Sequence, residues 1–207
     1  LMSRPRSDIR PRLLDAALHE FLARGVDGAS LRAIARRART NIGMIYYYFP
    51  TKDDLFLAVV EQHYEPMLQG LRDAVDVTAP VEERLRRLFV RIGQASESEL
   101  DIFRLVLREV MTSSERIPRL IERFKRGHLA LLFDVIAGGM AEGRLTAAHH
   151  PALLVMSTFA VGTAPQMLRR FAGEHFPFGD APSGEQMAAE LSHIVMNGIA
   201  RRPEESS

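Results

Sequence analysis

The side chains best suited to contact another molecule lie in one segment, SLRAIARRARTNIGMIYYYFPTK, which runs from Ser30 to Lys52. Its first half is rich in arginine, and its second half carries small, apolar and hydroxyl-bearing side chains, including three consecutive tyrosines. A short helix with such a surface can fit the major groove of DNA, where hydrogen bonds and apolar contacts distinguish the base edges. A generic helix pair with tyrosines half-buried at its surface would show the same periodicity, so periodicity alone leaves both interpretations open.

Two short helices joined by a tight turn must position these side chains. The apolar residues of the first helix recur at helical spacing at Leu31, Ile34, Ala35 and Ala38. Ser30 can cap that helix, and Asn41 can cap the next one, which we expect to run from Ile42 to Tyr48. Because the second helix is too short to be stable alone, Ile45 and Phe49 are predicted to anchor it. Its outer face then presents Ile42, Gly43, Met44, Tyr46 and Tyr47.

Charge is distributed unequally along the chain. Residues 1–52 contain ten Lys or Arg against four Asp or Glu, whereas residues 53–207 contain seventeen against twenty-two. The formal net charge of +1 therefore conceals a basic head followed by an acidic body. This distribution is expected when only the head meets a polyanion. A patchy surface charge with no partner is the alternative.

Composition limits the class of protein. The chain has 207 residues, of which 46% are hydrophobic and 26% charged, as expected for a soluble globular protein. It contains no cysteine, which excludes disulfide bonds and thiolate metal sites. No glycine-rich phosphate loop, nucleophile elbow or metal-ligand cluster occurs in the sequence, so we expect no enzyme, no catalytic residues, no cofactor and no metal site. The N-terminus has no apolar signal-type segment, and cytoplasmic residence is the default expectation.

Asp53 and Asp54 form an acidic pair that could hold a metal ion, but a structural role explains them better. Thr51 and Asp54 have capping-box spacing, and both acids fall in the first turn of the next helix, where the helix dipole favours negative charge. That helix is predicted to be long, from Lys52 to about Val77, with a kink or break at Pro66. Such a helix would act as a mechanical connector.

The rest of the chain is predicted to form further helices, including a long one from Ile117 to about Glu142. Residues 152–168 carry no charge and approach the length of a membrane span, but their Ser, Thr, Pro and Gln residues make a poor one. We expect a helix buried on most sides and no membrane partner. This helix and the last one, in MAAELSHIVMNGIARR, could pair with the same two helices of another copy in a homodimer.

Residues 10–62 resemble the N-terminal domain of the TetR family of bacterial transcriptional repressors. The shared features are the pattern AAxxxFxxxGxxxxSxxxIAxxA from Ala16 to Ala38, Gly43, and the pattern xIYYYFxxKxDL from Met44 to Leu55. The resemblance implies an all-α fold, with an N-terminal three-helix helix-turn-helix DNA-binding domain plus a larger helical ligand-binding and dimerisation domain (about nine helices). We expect the first domain to span residues 8–52 and the second residues 53–202.

By this resemblance, a set of residues in and beside the helix pair would contact DNA: Ser30, Arg32, Arg39, Thr40, Asn41, Ile42, Gly43, Met44, Tyr46, Tyr47 and Lys52. Arg32 is the best candidate for a base or phosphate contact, and Lys52 would bind a phosphate. Tyr46 and Tyr47 would offer hydroxyl groups to phosphates or bases. The residues from Ile42 to Met44 would face base edges.

The sequence departs from the family pattern at three positions. Arg39 stands where the family usually has glycine, so it must accept a turn geometry that suits glycine. Thr40 stands where valine is usual, and Ile42 where a polar or basic residue is common. Ile42 and Met44 would therefore replace polar base contacts with apolar ones, such as contacts with thymine methyl groups.

The resemblance also implies a cavity for a small apolar or amphipathic ligand among the later helices. The candidate lining residues are His63, Phe89, Phe103, Met111, Phe124, His128, Met156 and Phe159. Adaptable methionine and phenylalanine side chains suit such cavities, and the two histidines could supply polar contacts. Each of the eight could equally be an ordinary core residue.

Together these features predict a homodimeric DNA-binding repressor that a small-molecule ligand releases from a palindromic operator. Two alternatives within the class are a transcriptional activator and a constitutive DNA binder. The alternative from another class is an all-helical small-molecule carrier or enzyme whose basic head does not bind DNA. A steep loss of duplex affinity with salt would separate the classes.

Overall fold

A computed structural model describes residues 8–112, 115–175, 179–180 and 182–199 of the protein and shows an all-α fold in these ranges, as predicted. The described ranges contain ten α-helices: α1 (Ile9–Gly28), α2 (Leu31–Arg37), α3 (Ile42–Tyr48), α4 (Lys52–Ala74), α5 (Val81–Gly93), α6 (Glu97–Thr112), α7 (Ile117–Lys125), α8 (His128–Ala141), α9 (Pro151–Ala172) and α10 (Gly184–Ile199). A 3-10 turn, Gly173–His175, follows α9.

The helices pack into two compact units. The first contains the chain up to residue 67 together with residues 96–122, and the second contains residues 68–95 and the chain from residue 123 onward. α4 therefore contributes to both units, and it continues past Pro66 as one helix, so of the predicted kink or break the break is wrong. This packing divides the chain at a different place from the predicted boundary between residues 52 and 53, which stays a prediction about function.

The first unit has an apolar core to which α1, α4 and α6 contribute. Its large buried side chains include Leu13, Leu14, Phe21, Leu55, Phe56, Leu100 and Leu105. The rings of Phe21 and Phe56 meet edge to face, with centroids 6.1 Å apart. Ile34 of α2 and Ile45 of α3 are buried as well. Burial of these apolar side chains holds the two short helices, which would not be stable alone.

In the second unit, α5, α8, α9 and α10 pack against one another. Gly162 of α9 permits a close approach, because a Cβ atom at this position would lie 2.2 Å from the ring of Phe89 in α5. Arg84 of α5 is buried, pairs with Glu142 and donates from Nε to the backbone oxygen of Ala79 at 2.7 Å. These contacts join α5 to α9 and to the end of α8.

The prediction of a single long helix from Ile117 to about Glu142 is wrong. α7 ends at Lys125 and α8 begins at His128, because Gly127 has a non-helical conformation with φ −119° and ψ −121°. Glycine adopts such a conformation at a lower steric cost than any other residue, because it has no Cβ atom. Helical spacing did not reveal the break, since apolar residues continue on both sides of it.

α9 is less buried than predicted. By length and composition it could cross a membrane, although core helices of soluble proteins meet the same criteria, and 39% of its most apolar stretch is buried. One face carries exposed apolar residues, including Leu153, Met156 and Leu168. The expectation of a helix buried on most sides is therefore wrong, and the exposed face needs a separate explanation.

Candidate nucleic-acid interface

Two side-chain caps fix the starts of α2 and α3. The Ser30 hydroxyl accepts a hydrogen bond from the Ala33 amide at 3.3 Å, and the Asn41 side-chain oxygen accepts one from the Met44 amide at 3.1 Å. These bonds satisfy amide groups that have no partner within the helix. Both predicted caps are confirmed. Ser30 and Asn41 therefore hold the helices in place in addition to lying on the candidate surface.

α3 turns the predicted face outward. Its inner residues Ile45 and Phe49 are 1% and 4% exposed, whereas the side chains of Tyr46 and Tyr47 are 53% and 76% exposed. The same outer surface includes Ile42 and Gly43, which are exposed, and Met44, which is half-buried. The Tyr47 ring meets the Tyr48 ring edge to face, with centroids 5.1 Å apart, and this contact restricts its orientation.

The turn between α2 and α3 depends on Arg39. Among the described residues it is the only non-glycine residue with a positive φ, at 52°. This left-handed conformation costs about 1 kcal/mol for a residue with a Cβ atom, because that atom crowds the backbone. The Thr40 amide closes the turn by donating to the Ala35 carbonyl at 3.0 Å. The predicted glycine-like geometry at Arg39 is therefore confirmed.

Exposed arginines lie on α2 and in the turn that follows it. Arg32, Arg36, Arg37 and Arg39 are exposed, and none of the four forms an ion pair with another residue in the part of the chain that the structure describes. Arg36 and Arg37 were not among the predicted contacts, although the basic composition of residues 1–52 indicated them. Their charges are free to pair with an external anion.

Arg10 is another basic residue that the sequence analysis did not single out. Its guanidinium carbon lies 5.7 Å from the centroid of the Phe49 ring, at the C-terminal end of α3. A cation–π contact between two residues so far apart in sequence has no local sequence signal. It brings the first turn of α1 next to the candidate recognition helix.

Lys52 has partners within the protein. Its amino group donates hydrogen bonds to the backbone oxygens of Asp27, at 2.7 Å, and Ala29, at 3.4 Å. Asp27 lies in the last turn of α1 and Ala29 in the connection to α2, so Lys52 ties this part of the chain to the start of α4. Since an ammonium group has three donors, one N–H remains for the predicted phosphate contact.

The capping box predicted at Thr51 and Asp54 is confirmed. The Thr51 hydroxyl donates to the Asp54 carboxylate at 2.7 Å and accepts from the Asp54 amide at 3.0 Å. The hydrogen bond from Thr51, followed by that from Arg119, holds the pKa of Asp54 below its usual value. In the described ranges, no three or more His, Cys, Asp or Glu residues are grouped so that they could hold a metal ion.

The candidate ligand-lining residues are divided between the two units. His63, Phe103 and Met111 lie in the first unit, and Phe89, Phe124, His128, Met156 and Phe159 lie in the second. Met111 and Met156 are 77% and 66% exposed, so the prediction that they line an enclosed site is wrong. Apolar character does not reveal which way a helix turns a residue. Phe89 is a core residue that packs on Gly162.

Three of the candidates come together in the second unit. The His128 ring stacks on Phe159, with 5.2 Å between centroids, and its centroid lies 5.0 Å from that of Phe124. Burial, reinforced by the positive charge of Arg123, lowers the pKa of His128 to about 4. The imidazole is therefore neutral at neutral pH and packs as an aromatic ring with a polar edge.

The fold and the exposed helix pair define the class of protein. The N-terminal region has three helices, and the third, α3, follows a tight turn, has a capped start and turns one face outward. Further helices follow it in the chain. This is the arrangement of a helix-turn-helix protein.

Comparison with known proteins identifies the family of the N-terminal domain. Residues 13–59 match the profile of the bacterial regulatory proteins of the tetR family. The chain is 27% identical to the HTH-type transcriptional activator FasR of Mycolicibacterium smegmatis over 133 residues, or 64% of this chain and 61% of FasR. It is 29% identical to the HTH-type transcriptional repressor SCO4008 of Streptomyces coelicolor over 172 residues, or 79% of this chain and 83% of SCO4008.

Among solved structures, the transcriptional regulator FadR of Bacillus subtilis in complex with stearoyl-CoA has a TM-score of 0.73 at 16% identity, covering 91% of this chain and 98% of that one. At this identity the similarity shows the fold. The chain spans 56% to 63% of the length of three of the curated relatives it matches. Residues 13–59 therefore carry the N-terminal domain of the tetR family of bacterial regulatory proteins, as the resemblance predicted. The relatives named above are transcriptional regulators, in agreement with the expectation of no enzyme.

Proposed function

We propose that the chain is a DNA-binding transcriptional regulator whose helix α3 enters the major groove. The observation that carries this proposal is the orientation of α3, whose anchors Ile45 and Phe49 are buried while Tyr46 and Tyr47 point outward. A rigid, exposed surface of small, apolar and hydroxyl-bearing side chains suits base edges. The exposed arginines of α2, which lack ion pairs among the described residues, suit the flanking phosphates.

The proposal includes a homodimer formed through α9 and α10. One face of α9 is exposed and carries no charge along its whole length: Leu153, Met156, Ser157, Ala160, Ala164, Leu168 and Phe171. On α10, Ile194 is 58% exposed. A second copy of the same two helices would cover this face and form a two-fold interface. The two heads of such a dimer would read a palindromic operator in successive major-groove segments.

The proposed ligand is small and apolar or amphipathic, and the second unit is its proposed location. There His128 lies between Phe124 and Phe159. The hydroxyl groups of Thr158 and Thr163 on α9 are buried without a hydrogen-bond partner among the described residues, which is uncommon for buried oxygens. FadR, a neighbour by fold, was crystallised with stearoyl-CoA, a ligand of this amphipathic type.

In the proposed mechanism the protein is a cytoplasmic repressor that the ligand releases from its operator. The ligand favours a dimer conformation in which the head spacing no longer matches the operator, and it shifts the equilibrium only by its differential affinity for the two conformations. The similarity to the activator FasR, beside that to the repressor SCO4008, keeps activation as the second candidate. Reporter expression with and without the protein distinguishes the two.

The experiment that tests DNA binding is capture of genomic fragments by the purified protein, followed by sequencing of what is retained. A palindromic duplex recovered in this way should bind with an affinity that falls steeply with salt. The matched variants are Tyr47→Ala, on the proposed interface, and Val77→Ala, outside it. Val77 is 79% exposed. We expect the first to weaken binding and the second to leave it unchanged. If the protein does not bind duplex DNA even in dilute buffer, the alternative of a small-molecule carrier or enzyme is favoured instead.

A further inference from the structure

Arg116, between α6 and α7, is buried in a cluster of three carboxylates within the first unit. Its side chain is 6% exposed, and its guanidinium donates to Glu109 at 2.8 Å, to Asp53 at 3.0 Å and to Asp27 at 2.6 Å. The guanidinium carbon also lies 5.8 Å from the centroid of the Phe56 ring. All donor atoms of the side chain are therefore used, each toward a different carboxylate.

The partners of Arg116 stand at the two ends of the helix pair. Asp27 lies at the end of α1, just before α2, and Asp53 lies in the first turn of α4, just after α3. They are 89 and 63 residues from Arg116 in the sequence. Glu109, on α6, is buried and completes the cluster from the other side. One side chain thus joins α6 to both chain segments that enter and leave the candidate DNA-binding motif.

A second contact repeats this connection nearby. Arg119, in the first turn of α7, donates to Asp54 at 3.1 Å, and Asp54 caps α4 through Thr51. This pair is partly exposed and contributes little alone. In the Arg116 cluster the guanidinium and Glu109 are buried, whereas the side chains of Asp53 and Asp27 are 41% and 84% exposed. The planar guanidinium holds its donors in a fixed arrangement that an ammonium group cannot reproduce.

We propose that Arg116 is a positioning residue for DNA binding, which fixes the α2–α3 pair by holding Asp27 and Asp53 in one geometry. The proposal rests on the proposed function for its DNA-binding consequence, but its structural part concerns the protein alone. Arg116 is buried and does not contact phosphate. Its loss should therefore lower affinity for every duplex without changing the dependence of affinity on salt.

The test compares Arg116→Lys with Glu109→Gln in the full chain. Arg116→Lys keeps a positive charge beside Glu109 but lacks the planar arrangement of donors that holds all three carboxylates, so we expect duplex affinity to fall about tenfold with an unchanged salt slope. Glu109→Gln weakens the buried pair but leaves Arg116 bound to Asp27 and Asp53, so we expect affinity close to that of the unchanged protein. Wild-type affinity in Arg116→Lys would show that charge alone suffices and would overturn the proposal.

Hydrogen–deuterium exchange gives a readout that does not depend on DNA. We expect the backbone amides of α2 and α3 to exchange about tenfold faster in Arg116→Lys than in Glu109→Gln, with the amides of α5 and α10 unchanged in both. Equal exchange in α2 and α3 overturns the positioning role even if duplex affinity falls. If exchange in α2 and α3 is faster in Arg116→Lys but the unaltered protein binds no duplex, the proposed function is rejected and the positioning role is retained.

Discussion

The amino group of Lys52 lies 2.7 Å from the backbone oxygen of Asp27 and donates a hydrogen bond to it. A lysine that follows the candidate recognition helix therefore contacts the last turn of α1, which precedes the helix pair in the chain. The side chain expected to bind phosphate also has a structural function, and the two can be separated by experiment.

Replacement of Lys52 by alanine tests both roles. Loss of a phosphate contact should reduce the slope of log affinity against log salt by about 0.9 per contact. Loss of the hydrogen bonds to Asp27 and Ala29 should lower the free energy of unfolding by about 1 kcal/mol. Fluorescence anisotropy at several salt concentrations measures the first effect, and urea denaturation measures the second. Lys125→Ala, a change of equal charge in α7, is the control. An unchanged slope would remove Lys52 from the phosphate contacts.

Arg39 should be under backbone strain that glycine relieves. We expect Arg39→Gly to be more stable than Arg39→Ala by about 1 kcal/mol, since both lose the guanidinium but only glycine accepts the φ of 52° without cost. Thermal unfolding of the two variants measures the difference. Equal melting temperatures would mean that the turn relaxes when Arg39 is replaced. Arg37 is helical, so at this position we expect the opposite order of stability, with Arg37→Ala more stable than Arg37→Gly.

A charge on the exposed face of α9 should separate the proposed dimer. In Ala160→Glu, each copy would bring a carboxylate into an apolar two-fold interface, so we expect the dissociation constant to rise at least roughly a hundredfold. Light scattering coupled to size-exclusion chromatography gives the mass. Val77→Glu places the same charge at another exposed position and should leave the mass unchanged. A dimer that survives Ala160→Glu would place the interface elsewhere.

His128 should make stability depend on pH. Its pKa is lowered to about 4 in the folded protein, so the unfolded chain binds the proton more readily, and stability should fall as pH decreases from about 6.5 toward 4. His128→Phe keeps a ring between Phe124 and Phe159 and should flatten this dependence. Urea unfolding at pH 7 and pH 5 measures it. His19→Gln, at an exposed position, should behave like the unchanged protein. The same pH dependence in His128→Phe would assign the effect to other groups.

The sequence by itself determined the local features of the candidate interface. The caps at Ser30 and Asn41 and the Thr51–Asp54 box all involve residues within a few positions of one another, whereas the turn at Arg39 was expected from the family resemblance. Residue type and spacing are sufficient for such contacts, because the helix itself fixes the distance between the partners. The inward and outward faces of α3 followed from the same periodicity.

Only the tertiary structure decided which distant groups meet. The partners of Lys52 and Arg116, the cation–π contact of Arg10 and the exposure of Met111 and Met156 depend on how the helices pack, and no local spacing encodes them. Arg116 is the clearest case, because an arginine after α6 gives no sign that carboxylates 63 and 89 residues away will surround it. Packing brings those groups together by burying apolar faces, and the ion pairs form where the packed helices place opposite charges close to one another.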